Sequence, residues 1–177
     1  MLDKLYADVT RLSPQKQKLL RTLMAQQGLS PSQLPIVAVE RGAADYPLSF
    51  PQQRIWLLHR LAGSSLYNTP WILRLRGPLD RARLAAALAR IVQRHEALRS
   101  CFPFVDGSPR QRILPPAPVE LPAVDLRAVS GAAEREARLH RELVAEIQRP
   151  LDLERGPIVR ARLFALGTDE HVLVATT

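Results

Sequence analysis

The stretch that most constrains this chain is a helix that runs straight into an extended strand. Leu84, Leu88, Ile91 and Val92 recur at helical spacing, so that they fall on one face. His95 continues the same series, with Arg94 and Glu96 flanking it. The chain then turns apolar and extended through Cys101, Phe102 and Phe104. Asp80 is placed to cap this helix, and Asp106-Gly107 is a hairpin signal that sends the strand back through Gln111 to Leu114. A fold built on this stretch must pack a helix beside antiparallel strands.

The rest of the chain follows in the same terms. Residues 1–30 read as two short helices, a stripe of Leu2, Leu5, Val9 and Leu12 and then Ser13-Pro14 opening a second that stops at Gly28. Residues 29–45, with Pro31, Pro35 and Gly42 and no periodicity, read as a linker. Ser49 and Gln52 have capping-box spacing ahead of a helix whose Ile55, Leu58 and Leu61 face inward, Trp56 alongside. Trp71 to Arg76 alternates apolar and basic residues as a half-exposed strand does. Pro115, Pro116, Pro118 and Pro122 make a stiff connection, and a long helix runs from about residue 130 to 149, with Leu139, Leu143, Val144 and Ile147 inward. Two strands follow, residues 158–166 and 171–177, about a Gly167-Thr168-Asp169 turn, the second apolar without alternation as a central strand is. The fold class is α/β, a mixed sheet with packed helices. Residues 1–45 form an arm and linker, and residues 46–177 the domain.

Composition narrows the function. The net charge of +8 invites a nucleic-acid reading. Against it, all lysines (Lys4, Lys16, Lys18) lie near the amino terminus, and the arginines are interleaved with Asp and Glu, so no nucleic acid is expected. The one cysteine, Cys101, excludes an internal disulfide framework and reads as a small buried hydrophobe. No apolar run reaches the about 18 residues of a membrane span, no signal-peptide core opens the chain, and a cytoplasmic location is the expectation. His59, His95, His140 and His171 form no helix-face pair, so no metal site is expected.

Five segments carry a resemblance. Arg94-His95-Glu96-Ala97-Leu98-Arg99-Ser100-Cys101-Phe102 resembles the second core motif of condensation domains from nonribosomal peptide synthetases, R-H-E-x-L-R-T-x-F, with Ser100 in place of Thr. Ser49-Phe50-Pro51-Gln52-Gln53-Arg54-Ile55-Trp56-Leu57-Leu58 is similar to the first, S-x-A-Q-x-R-L-W-x-L. Tyr67-Asn68-Thr69-Pro70 and Leu73 to Asp80 are similar to Y-N-x-P and L-R-L-x-G-x-L-D. Leu151-Asp152-Leu153-Glu154-Arg155-Gly156-Pro157, Arg160 and Glu170 to Leu173 resemble the approach to the third motif, H-H-x-x-x-D-G. That motif is expected directly after Thr177, and no His-His pair occurs in the sequence.

The resemblance implies the amino-terminal half of a chloramphenicol-acetyltransferase-like fold. It also implies amide formation between a donor acyl or peptidyl thioester and the amine of an acceptor aminoacyl thioester. No bound cofactor is implied, because the substrates ride on the phosphopantetheine arms of upstream and downstream carrier proteins. No catalytic residue of that motif is present, and the fragment alone is expected to be inactive. Arg94 is expected to pair with the motif's Asp, and Arg54, His95, Glu96 and Arg99 to support the site, plain solvation being the alternative for Arg99. Gln52, Gln53 and Trp56 are expected to pack beside the substrate tunnel. Met1 reads as the start of the polypeptide, and residues 1–45 as a docking element for an upstream synthetase or acyl donor protein. The alternatives left open are a docking module, and a starter, heterocyclisation or epimerisation relative of the same fold.

Overall fold

The computed structural model describes residues 12–28, 45–62 and 65–177. Contacts divide the chain into two units, Met1–Ala43 and Ala44–Thr177. In the first, α1 (Pro14–Gln26) begins as its sequence predicts. Ser13 Oγ accepts the Lys16 N–H at 3.4 Å, Pro14 sits at the first helical position, and Gly28 follows the helix with φ 71°. The predicted helix over residues 2–12 and the linker over 29–44 lie outside the described residues.

The second unit holds two sheets. The larger has the order β2 (Pro70–Arg76), β8 (Glu170–Thr176), β7 (Arg160–Ala165), β6 (Ala123–Asp125). All neighbours are antiparallel except β6 and β7, which are parallel. Because successive strand residues point to opposite faces, β7 and β8 need cover on both sides, and each receives a helix. On one face Leu84, Ala85 and Leu88 of α3 (Arg81–Arg94) pack with Ala161, Leu163, Leu173 and Leu75. On the other, Leu139, Leu143 and Ile147 of α4 (Ala132–Gln148) pack with Phe164, Val172 and Val174. The result is a helix–sheet–helix sandwich, and it explains why β8 reads as continuously apolar.

The smaller sheet is centred on β5 (Ser108–Ile113), flanked by β1 (Tyr46–Pro47), β3 (Ser100–Cys101) and β4 (Phe104–Val105). The β4–β5 hairpin turns through Asp106 (φ 48°) and Gly107 (φ 76°), the paired positive φ that an Asp-Gly turn provides. Asp45 anchors β1 beside β5, its two carboxylate oxygens accepting from Arg112 at 2.7 and 2.9 Å. That guanidinium holds the Asp45 carboxyl below its ordinary value.

Several expectations are corrected. In α2 (Phe50–Ala62) Trp56 is the buried residue, whereas Leu61 is 75% exposed and Ile55 is not in the core but on the wall of an open cavity. Val144 lies on the open side of α4. His95 does not continue the apolar face: it leaves the helix as its C-cap, with extended φ and ψ, and is exposed. β2 is covered only at Leu75, leaving Trp71, Ile72 and Leu73 exposed. The proline-rich connection also delivers a strand, β6, that its sequence did not announce.

Candidate functional site

An apolar cavity of about 260 Å³ opens between α2, the segment before β2 and the loop before β7. Its walls include Gln52, Trp56, Asn68, Phe102, Leu153 and Thr177, so four of the motif-like segments and the carboxyl end of β8 meet here. The volume lies close to the lower end of small-molecule sites, roughly 300 Å³.

The walls are fixed by identifiable contacts. At the start of α2 the Ser49 N–H donates to Gln52 Oε1 at 2.8 Å, and the Gln52 N–H to Ser49 Oγ at 3.4 Å. This is the reciprocal capping box that the spacing predicted. One turn on, Trp56 donates its indole N–H to the Phe102 carbonyl at 3.0 Å. Its ring stacks on Phe104 at 5.5 Å, and Arg60 lies 5.4 Å from its centroid. Arg60 in turn pairs with Glu154. The Phe102 N–H donates to the Leu153 carbonyl at 2.6 Å, which stitches the second motif-like segment to the loop carrying the last.

That loop is shaped by Asp152. Its Oδ1 accepts the N–H groups of Glu154 and Arg155 at 3.0 and 2.9 Å, and its carbonyl accepts that of Gly156 at 2.8 Å. Gly156 has φ 59°, and a Cβ there would stand 2.9 Å from both the Ser100 carbonyl oxygen and Cys101 Cβ. Only glycine fits so close to the neighbouring backbone. Cys101 is buried as expected, and burial pushes its thiol pKa up.

A second set of bonds gathers around the end of α4, whose final carbonyls lack helical donors. Arg160, at 11% side-chain exposure, donates to the Glu146 carbonyl at 2.6 Å, the Pro150 carbonyl at 3.1 Å and the Arg149 carbonyl, and pairs with Glu146 Oε1 at 2.6 Å. Arg162 reaches the other Glu146 oxygen at 3.3 Å. The Asn68 amide donates to the carbonyls of Ile147 at 2.7 Å and Arg149 at 2.9 Å. Thr69 and Thr177 exchange backbone bonds of 2.8 and 3.2 Å, extending the β2–β8 ladder to the cavity.

The sequence-predicted site residues divide. Gln52 and Trp56 line the cavity; Gln53 does not, its amide turning to the Leu48 carbonyl at 3.1 Å. Arg94, His95 and Arg54 are exposed, and neither arginine has an ion pair among the described residues. Arg99 is not solvated: its side chain is 12% exposed, donating to Glu96 at 3.2 Å and to the Leu114 carbonyl. It braces the turn between α3 and β3, with Glu96 as partner. Sequence reasoning assigned no role to Asn68, Glu146, Glu154 or Arg160. Asn68, Glu154 and Arg160 stood in motif-like segments, but their partners are distant in sequence. Among the described residues no group of three potential metal ligands occurs, and no helix is long and apolar enough to cross a membrane.

An α/β sandwich with an apolar cavity at the carboxyl end of its central strand defines the class. Residues 43–177 match the condensation-domain family, and the chain belongs to it. It is 44% identical over 133 residues to malpinin synthetase of Mortierella alpina, and 43% over 131 residues to tyrocidine synthase 3 of Brevibacillus parabrevis. These alignments cover 75% and 73% of this chain but 2% of each synthetase. Among solved structures, the starter condensation domain of rhizomide synthetase superposes with a TM-score of 0.68 at 28% identity, over 76% of this chain and 32% of that one. The first condensation domain of the CDA synthetase gives 0.67 at 27%, over 77% and 36%. The chain therefore spans about a third of the solved domains that it matches. The mixed α/β fold is that of these condensation domains, of the chloramphenicol-acetyltransferase-like type.

Proposed function

We propose that this chain supplies the amino-terminal part of an amide-forming acyltransferase in a nonribosomal peptide synthetase. Condensation domains take substrates from the phosphopantetheine arms of carrier proteins. In the reaction the acceptor amine attacks the donor thioester carbonyl, the new C–N bond replaces the C–S bond, and the amine's proton and the thiol depart. Holding both tethered groups at one point removes much of the entropic barrier. The observation that carries this reading is the cavity itself, walled by motif-like segments distant in sequence and reached by the carboxyl end of β8. The H-H-x-x-x-D-G segment is expected to follow there and to supply the base that handles the amine. Arg94, free of ion pairs among the described residues, is the candidate partner for that motif's Asp. The Arg99–Glu96 brace fixes the turn that presents Arg94 and His95.

The test uses the parent synthetase with its carriers loaded, following amide product by mass spectrometry. Wild type is expected to form the amide, and Arg94→Ala to slow it by on the order of a hundredfold, as misplacement of the catalytic loop by about 1 Å allows. No product from the wild type would sink the reading. Full activity of Arg94→Ala would remove only that residue's role. The apolar lining also favours a starter-type acyl donor as a second reading, since the rhizomide starter domain was captured with C8-CoA. An octanoyl donor outpacing a peptidyl donor would select it.

A further inference from the structure

The turn ahead of β2 is tied to its neighbours by one side chain and by the backbone of the next residue. The Asn68 amide bridges from the turn ahead of β2 to the last carbonyls of α4, at 2.7 and 2.9 Å. The next residue, Thr69, makes the two backbone bonds that hold Thr177 at the end of β8. Tyr67, Asn68 and Thr177 all line the cavity, as does Leu151, just beyond the end of α4. Arg160 shares one of these acceptors, the Arg149 carbonyl, but reaches it from β7 within the sheet, so it does not hold this turn. We propose that Asn68 is a positioning residue. Its amide fixes the turn over residues 65–69 on the end of α4 and, through the Thr69–Thr177 pair, sets where the carboxyl end of β8 stands at the cavity.

The physical case is one of coupling. The Asn68 side chain offers two N–H groups to two carbonyls from one rigid planar amide. Loss of the donor leaves the part-buried Ile147 carbonyl without this partner. Within the turn, the Asn68 N–H also donates to the Ser65 carbonyl at 3.0 Å, a local bond that shapes the turn without placing it on α4. A small displacement here moves the end of β8. Misplacement of a reacting group by about 1 Å can cost on the order of a hundredfold in rate.

Two measurements test this. In the 177-residue chain, Asn68→Ala is expected to speed amide hydrogen exchange at Thr69 and Thr177 about tenfold or more, leaving the β7–β8 amides of Leu163 and Leu173 nearly unchanged. Leu88→Ala, in the core on the other face of the sheet, serves as a control of comparable instability and is expected to loosen the sheet without that local bias. Asn68→Gln, which keeps the donors, is made in parallel, so a failure of Asn68→Ala to fold leaves the local test intact. Unchanged exchange at Thr69 and Thr177, or the same uniform acceleration as in Leu88→Ala, overturns the proposal. In the parent synthetase, where the test rests on the amide-forming reading, Asn68→Ala is expected to lower kcat about tenfold or more with KM for the loaded donor carrier nearly unchanged. A kcat loss no larger than that of Leu88→Ala also overturns it. A wild-type parent that forms no amide defeats the functional reading instead, and the exchange result still decides the positioning role.

Discussion

At Gly156 the chain has no room for a side chain. Its positive φ and the 2.9 Å approach to the Ser100 carbonyl act together, so relaxing one does not relieve the other. Gly156→Ala is expected to destabilise the chain by about 2–4 kcal/mol, read from the urea midpoint at unchanged slope. Trp56 makes the complementary point. Trp56→Phe keeps an aromatic ring, though a smaller one, and leaves the Phe102 carbonyl without its donor, at a cost of about 1–3 kcal/mol by the same measurement. The two residues also mark what a sequence can disclose. The Ser49–Gln52 cap was legible because its partners lie three residues apart. The bond that fixes Trp56 was not, because its acceptor lies 46 residues away, and the apolar stripe of α2 put Leu61 inward as well. Arg99 misled for the same reason: nothing near it announces that Leu114 will return to take its guanidinium.

Elements were read most securely where the periodicity was local. α3, α4 and the Asp-Gly hairpin stand where spacing and turn chemistry put them. β6 escaped because three residues after a proline-rich run carry no periodic signal, and the strand exists only by pairing with β7. It ends at a tight ionic turn in which Asp125 accepts both the backbone N–H and the guanidinium of Arg127. These bonds hold the Asp125 carboxyl at about 2. A depressed carboxyl stabilises the fold above its unfolded value, about 3.9, and that contribution fades as pH falls from about 4 towards 2. Carboxyl NMR is expected to show Asp125 still ionised at about pH 3, and Arg127→Ala to move its titration upward. α4 is tied down differently. Glu146, at 5% exposure, meets Arg160 and Arg162 beside the sheet. Glu146→Ala is expected to cost about 3–5 kcal/mol, because it leaves the buried Arg160 without its counter-charge.

At the scale of the whole molecule, the larger sheet ends in β2, whose outer edge pairs with no strand among the described residues. Trp71, 64% exposed, and Leu73 continue the face that α3 covers only as far as Leu75. Edge strands of this kind invite pairing with another chain. The isolated chain is expected to bind an environment-sensitive apolar dye and to self-associate at high concentration. The double substitution Trp71→Lys, Leu73→Lys is expected to reduce both, as checked by fluorescence and sedimentation velocity. The family was legible from five short segments, and the structure gives the physical reason: four of them contribute to one cavity wall or to the bonds behind it.

The register of β2 carries a further consequence. Its first residue, Pro70, pairs with Thr176, and its last, Arg76, with Glu170. Nearly all the intervening sequence must leave the ribosome before this ladder can close. At about 5–20 residues per second, the interval for roughly a hundred residues is about 5–20 s. During that time Trp71, Ile72 and Leu73 have no partner strand, and the central layer of the sandwich cannot form around them. Synthesis of this chain therefore passes through a seconds-long stage in which β2 waits for the strand that pairs with it.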